Sequence, residues 1–479
     1  PGASSPTLTA LQDVVTANLA TIRTELGRFG RQVSGYSLEH LLPEHGFDVA
    51  RALVGTEGTC GIVLGAKVRL VSAPPAVALV VLGYPDMIAA ADAVPALLPH
   101  QPVALEGMDA RIVDVVRRRR GSSAVPELPA GAGWLFAEVV AESPDELVPA
   151  IDVLVADYGG LGHRVVTEPS EAAALWRIRE DGAGLAAQAQ DGRAFHSGWE
   201  DAAVPPAELG SYLRDFDALL GEHGLSGIPY GHFGDGCVHV RIDFPLAEGG
   251  VFRKFLLDAA ALVARYGGSM SGEHGDGRAR GELLPLMYSA DALRTFEAVK
   301  DVFDPDDILN PGVIVRPRPL DADLRLPASR PVRTSLALAY GADGGDFAAA
   351  VHRCTGVGKC RADTTAVGGV MCPSYLATGD EKDSTRGRAR VLQEMINGSL
   401  VRNGWRSAEV HESLDLCLAC KGCASDCPTG VDMATYKAEV LHQTYRGRLR
   451  PVSHYSLGWL PRWVALGARA PGLANRLLT

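Results

Sequence analysis

The sequence predicts a domain of the α/β or α+β class, with helices packed on a sheet, followed by a smaller cysteine-rich domain. Two observations predict it. Between residues 77 and 188, short β-branched runs alternate with helical ones, the pattern of helices covering a sheet. Seven of the nine cysteines then fall between 354 and 427. Their close spacing reads as metal ligation in a reducing compartment, not as a disulfide framework. The 479 residues leave room for two to four domains of about 150 residues each. With 47% hydrophobic and 22% charged residues, the composition is that of a globular protein and excludes wholesale disorder, collagen and a coiled coil.

The elements follow in chain order. Residues 8–30 carry helical periodicity. Val54-Gly55-Thr56-Glu57-Gly58-Thr59 is a Gly-rich turn, and residues 63–71 then alternate like a strand up to the Pro74-Pro75 break. Strands are predicted at 77–83, 134–141, 164–167 and 238–242. Helices are predicted at 86–98, 144–158 and 170–188. Residues 315–345 are rich in Pro, Asp, Arg and Gly and read as a linker. From Tyr445 onward, arginines interleave with Trp459, Leu460, Trp463 and Val464. That tail reads as a surface helix or a connection to a further segment, with an interfacial membrane helix as the alternative. The start, Pro1-Gly2-Ala3, lacks an initiator Met, a basic leader and an apolar signal core. It and the end at Thr479 read as cut from a longer chain.

Net charge is −11, which argues against non-specific nucleic-acid binding because phosphate contacts need excess cations. No apolar run reaches the ~18–20 residues of a membrane-spanning helix. The longest, 255–264, is short and contains Asp258.

The strongest signal is Cys417-x2-Cys420-x2-Cys423-x3-Cys427-Pro428. Three cysteines at three-residue steps let one tight loop wrap three corners of an iron–sulfur cube, and the fourth turns away toward a second cluster. Zinc is the alternative, but zinc ribbons use two separated CxxC pairs. Cys354-x5-Cys360-x11-Cys372-Pro373 precedes it with the same Cys-Pro ending. Two-cluster logic pairs Cys372 with Cys417, Cys420 and Cys423 for one [4Fe–4S] site. Cys354, Cys360 and Cys427 are left for a second cluster, or remain free thiols. Cys60 and Cys237 stand alone and read as small buried residues.

A second constellation joins Gly231-His232-Phe233-Gly234-Asp235-Gly236-Cys237-Val238-His239 to Ser271-Gly272-Glu273-His274-Gly275-Asp276-Gly277. Two imidazoles and a carboxylate with open positions suit a divalent metal that still binds substrate, and such a metal acts as a Lewis acid. His274 adjoins Glu273 and is placed to be a general base. Asp235 and Asp276 read as loop-fixing turn residues.

These stretches, with Leu53 to Ile62 and the closing Asp304-Pro305 through Ile308-Leu309-Asn310-Pro311-Gly312, resemble the FAD-linked oxidases of the vanillyl-alcohol oxidase type. Within that group they look like the D-2-hydroxyacid dehydrogenases that act on D-lactate, glycolate or D-2-hydroxyglutarate. The match covers roughly residues 8–315. The cysteine region and Asp383-Ser384-Thr385-Arg386-Gly387-Arg388 are similar to the ferredoxin-like segment of the long bacterial flavin/iron–sulfur members.

The resemblance implies an α+β chain in five parts. Residues 1–73 would be the C-terminal part of the FAD-binding domain. Residues 74–316 would be a substrate domain with helices on an antiparallel sheet. A linker (317–345), a mostly helical iron–sulfur domain (346–445) and a tail (446–479) follow. Gly55, Thr56, Glu57, Gly58, Thr59, Gly61, Ile62 and Asn310 would contact FAD. His232, His239 and Glu273 would hold a divalent metal, with zinc first. His274 would take the hydroxyl proton and Arg179 would bind the substrate carboxylate, with Arg177 the competing arginine. Cys354, Cys360, Cys372, Cys417, Cys420, Cys423 and Cys427 would hold clusters.

Two positions depart from relatives that place a lysine and a threonine at the substrate: Trp199 stands near the lysine position and Ala183 at the threonine. The family's early FAD half, with its pyrophosphate loop, is expected before residue 1. The implied activity is oxidation of a D-2-hydroxy acid, with D-2-hydroxyglutarate first and D-lactate or glycolate as alternatives. Electrons would pass from FAD through clusters to a quinone or redox protein. A cytoplasmic homo-oligomer is expected, with peripheral membrane contact an option. The rival classes are a zinc-dependent hydrolase and a non-catalytic electron-transfer fragment.

Overall fold

The computed structural model describes residues 5–187, 195–246, 250–365 and 368–478. The expected helix end at Gln188 and the extreme termini lie outside them. The chain divides into two compact units, Pro1–Pro327 and Ala328–Thr479.

The first unit is built on a seven-stranded sheet in the order β4-β1-β3-β2-β6-β7-β5, with every pair antiparallel. The strands are β1 Ala76–Tyr84, β2 Ala104–Asp109, β3 Gly133–Ala141, β4 Gly162–Val166, β5 Ala202–Ala203, β6 Gly227–Gly231 and β7 Cys237–Ile242. Both faces are covered, so β1 and β3 are nearly continuous apolar runs. Ala78, Val80 and Leu82 of β1 enter one core with helices Met87–Leu97, Pro144–Ala156, Leu209–Glu222 and Val251–Arg265. Leu79 and Val81 point the other way, into a core with helices Ala110–Arg120 and Pro169–Glu180. The two-residue period of a strand thus feeds two layers, and each fully buried Val or Leu contributes about 1.5–3 kcal/mol.

A third core joins the beginning and end of this unit. Leu11, Val15 and Ile22 pack with Tyr36, Leu38, Phe296, Val299 and Val313.

Two expectations fail here. The helix predicted over 8–30 is two helices, Pro6–Ala17 and Leu19–Glu25. Asn18 parts them, its amide donating to the Val14 carbonyl at 2.8 Å, which is how Asn competes with the helical ladder. The strand predicted over 63–71 does not form. Those residues carry no regular structure, and Val63, Leu64, Val68, Leu70 and Val71 are exposed. Alternation supplies a face, but a strand also needs a neighbour to take its backbone hydrogen bonds, and no strand of the sheet pairs with this segment.

The second unit is helical. Helices Phe347–His352, Thr385–Asn397, Ala408–Asp415 and Met433–Tyr445 close around Phe347, Val351, Leu392, Val410 and Val440. Cys360, Cys372 and Cys423 are buried in the same cluster. No described helix is long and apolar enough to cross a membrane.

Candidate active site

The site lies on the sheet face that also carries the Ala110–Arg120 and Pro169–Glu180 helices. Tyr230 on β6 pairs with His239 on β7, which puts both side chains on that face. Glu106 on β2 lies on the same face, since it is two residues from Met108, the partner of Tyr230. The β6–β7 turn brings His232 alongside. It can approach because β2 has Gly107 there: a Cβ at 107 would stand 2.6 Å from the Phe233 ring.

Glu273 is the hub. Its Oε1 lies 3.3 Å from His232 Nε2, 3.2 Å from His239 Nε2 and 3.2 Å from His274 Nε2. Arg31 Nη1 reaches Oε2 at 3.0 Å and also binds Asp235. The His232, His239 and His274 rings together hold the Glu273 carboxyl well below the usual carboxylate range. The reverse effect lifts His232 to about 9, through its hydrogen bonds to Glu106 first and Glu273 second. Glu273 likewise raises His274.

The outer nitrogens of the two predicted metal-binding rings are already spoken for. His232 Nδ1 lies 2.7 Å from Glu106 Oε1, and His239 Nδ1 bonds the Glu200 carbonyl. Both partners are acceptors, so each Nδ1 carries the hydrogen, and each Nε2 faces Glu273. The Glu273 oxygen lies 3.2–3.3 Å from each of the two Nε2 atoms, about the edge of a tetrahedron with ~2.0–2.1 Å bonds to zinc. The donor set therefore fits a divalent metal.

A second grouping has the same chemistry: Asp201, His239, Glu273 and His274 place ligand atoms within 4.8 Å of one another. Asp201 is the weak member. It is fully buried and its oxygens already accept from the Glu273 N–H at 3.0 Å, the His274 N–H at 2.8 Å and the Ser271 hydroxyl. It holds the loop rather than standing open. His274 stacks on His239 with ring centroids 5.2 Å apart and is the most exposed of the three histidines.

Arg179 is buried over Tyr230, with Nη2 2.5 Å from Glu106 Oε2. Its Nε has no hydrogen-bond partner among the described residues. Arg179 rather than Arg177 is therefore the arginine of this constellation. Trp199 is not part of it. It is buried in the core beneath the opposite face, donating to Tyr212, because an indole of that size is best placed among the aromatic residues packed there. Asp235 and Asp276 fix loops as expected, through Arg31 and the Gly35 N–H. Cys60 and Cys237 are buried thiols.

The Gly-rich turn stands beside the Glu273 loop. Glu57 accepts from the Gly277 N–H at 2.9 Å, and Asn310 donates to the Glu57 carbonyl at 2.7 Å. Thr59 turns inward to Tyr36 at 2.6 Å, whereas Ile62 projects outward, exposed. Gly55, Thr56 and Gly58 complete the turn, and Gly61 leads out of it.

In the second unit Cys372, Cys417, Cys420 and Cys423 line one small cavity of about 20 Å³. Arg388 Nη1 approaches Cys372 Sγ at 3.5 Å, and the Met433 N–H points at Cys423 Sγ at 3.4 Å. Cys354, Cys360 and Cys427 pack on the same core of the second unit.

The sequence alone did not single out Glu106, Asp201 or Arg31. Glu106 sits on a strand interrupted by Gly107, and Asp201 acts on partners some 70 residues away in sequence, at 271–274.

Residues 73–314 match the family described as FAD linked oxidases, C-terminal domain, and residues 349–431 match the 4Fe-4S dicluster domain. A D-2-hydroxyglutarate dehydrogenase of Pseudomonas putida is 29% identical, over 100% of this chain and 52% of that protein. One from Escherichia coli is 27% identical over 94% of this chain and 49% of that protein. A D-lactate dehydrogenase of Archaeoglobus fulgidus is 31% identical over 60% of each chain. The chain spans about half the length of the D-2-hydroxyglutarate dehydrogenases it matches. With their C-terminal domain matched across half of its residues, on an antiparallel sheet flanked by helices, the chain belongs to the FAD-linked oxidases.

Proposed function

We propose that this chain is the substrate-oxidising and first electron-carrying part of a flavin- and iron–sulfur-dependent dehydrogenase. It converts a D-2-hydroxy acid, with D-2-hydroxyglutarate the first choice, to the 2-oxo acid. The observation that carries the reading is the convergence of His232, His239, His274 and Arg179 around Glu273 and Glu106 on one face of the sheet.

Arg179 anchors the substrate carboxylate, for which a guanidinium fork is the matching shape. His232, His239 and Glu273 hold a divalent metal, zinc first, which supplies Lewis acidity at the α-hydroxyl. His274 takes the hydroxyl proton. The 55–62 turn and Asn310 would hold FAD, which when bound would supply a hydride acceptor. The proton and the hydride together are the two hydrogens lost from the hydroxy acid. Cys372, Cys417, Cys420 and Cys423 hold one [4Fe–4S] cluster, and Cys354, Cys360 and Cys427 contribute to a second. Clusters take electrons singly, which suits passage to a quinone or redox protein. The close spacing of seven cysteines, which suits metal ligation in a reducing compartment, supports a cytoplasmic setting. Exposed Trp459, Leu460, Trp463 and Val464 support contact with the membrane's inner face.

The test is turnover of D- and L-2-hydroxy acids with a dye acceptor. His274→Gln should lower kcat at least about 100-fold, and Arg179→Gln should raise KM for every acid. Equal rates with both enantiomers, or full activity in His274→Gln, would sink the reading.

A further inference from the structure

We infer that Glu106 is a positioning residue that serves both halves of the site at once. One oxygen sets the His232 ring for the metal, and the other masks the charge of Arg179 until an acid arrives. The inference rests on the reading of the site given above.

Three observations carry it. Glu106 is 8% exposed, and a carboxylate that deep requires partners for both oxygens. Oε1 lies 2.7 Å from His232 Nδ1. An ionised carboxylate only accepts, so it keeps the hydrogen on Nδ1 and leaves Nε2 toward Glu273. This is the outer-shell arrangement whose loss typically costs 10–100-fold in metal affinity. Oε2 lies 2.5 Å from Arg179 Nη2 as an ion pair, while neither Nε nor Nη2 of Arg179 has a hydrogen-bond partner among the described residues. The guanidinium is thus paired to Glu106 through Nη2 and keeps the N–H of Nε, on the same edge, to donate. The packing fixes this pairing, since Phe233, next to His232, sits against the bare Cα of Gly107, next to Glu106.

The consequence is a split in sign. Removing the Glu106 charge lets the His232 ring turn and weakens the metal. The same change leaves Arg179 a buried cation without its counter-charge, and such a cation binds an incoming carboxylate more tightly. A merely structural role would weaken both.

The test uses the full-length, flavin-loaded protein and Glu106→Gln. Zinc affinity is measured against a chromophoric chelator with no acid present. Binding of 2-oxoglutarate is measured on zinc-free protein through the flavin spectrum. Glu106→Gln should weaken zinc 10–100-fold and tighten 2-oxoglutarate about 3–10-fold. If Glu106→Gln does not fold, Glu106→Asp, too short to reach both partners, should show the same split at smaller amplitude. Zinc affinity within twofold of wild type, or zinc and acid weakened together, would overturn the role of Glu106 alone. Wild-type protein that binds neither zinc nor 2-oxoglutarate would overturn the parent reading, and this one with it.

Discussion

Asp201→Asn tests how the Glu273–His274 loop is held. Asp201 is completely buried. One oxygen accepts the Glu273 N–H and the other the His274 N–H and the Ser271 hydroxyl. Arg280 Nη2 stands 3.7 Å from the second oxygen and is itself buried. An amide keeps one acceptor and turns two hydrogens toward the other side. Ser271 can reverse its role, but the N–H of His274 or Glu273 is left facing a donor, at a cost of about 1–3 kcal/mol. Arg280 also loses its nearest counter-charge, and breaking a buried charge pair brings the total to about 3–5 kcal/mol. Urea denaturation of wild type and variant at matched m-value reads this directly. Zinc content should fall as well, because Glu273 is displaced. A variant within about 1 kcal/mol of wild type, with full zinc content, would refute the argument that Asp201 holds the loop.

Gly272→Ala should cost about 1–3 kcal/mol by overpacking and should displace Glu273, since the new Cβ would stand 2.7 Å from Cys237 Sγ and 2.9 Å from Ala203 Cβ. Thermal melting and zinc content check both effects. Asp276 is pushed up to about 6 by burial, and its Oδ1 has no hydrogen-bond partner among the described residues. A carboxyl raised by folding contributes stability that is full below about pH 4 and is lost as pH rises through about 6. Asp276→Asn removes that loss, so its stability relative to wild type should climb by roughly 2–3 kcal/mol between pH 4 and 7 and then level off. A difference that ignores pH would contradict this. In the second unit, Cys372→Ser and Cys417→Ser should each abolish the same cluster, whereas Cys354→Ser should spare it. Electron paramagnetic resonance of reduced protein distinguishes the two patterns.

The parts of this molecule that could be read from sequence are those whose signal is local. The runs of β1 and β3 are unmistakable because both faces of the sheet are covered and nearly every residue is apolar. The His232 and Glu273 loops stand out because glycines flank ligand-type side chains. The cysteine spacing carries its own geometry. What escaped depends on partners remote in sequence. Strands β2 and β6 are broken by Gly107 and Pro229 and exist because the sheet recruits them. Glu106 went unnoticed with β2. Residues 63–71 mislead in the opposite direction, since they alternate correctly yet pair with no strand of the sheet. That Trp199 enters the opposite core was not legible either, because neighbourhood along the chain does not reveal which face of a sheet a side chain enters.

The most direct test of the central claim is anaerobic titration of the full-length, flavin-loaded protein, following flavin and iron–sulfur absorbance together. D-2-hydroxyglutarate, D-lactate and their L-isomers are added in turn. The account predicts that a D-acid bleaches the flavin and then the clusters, and that the L-isomers do nothing. Flavin and clusters present, yet unbleached by any of these acids, would contradict it.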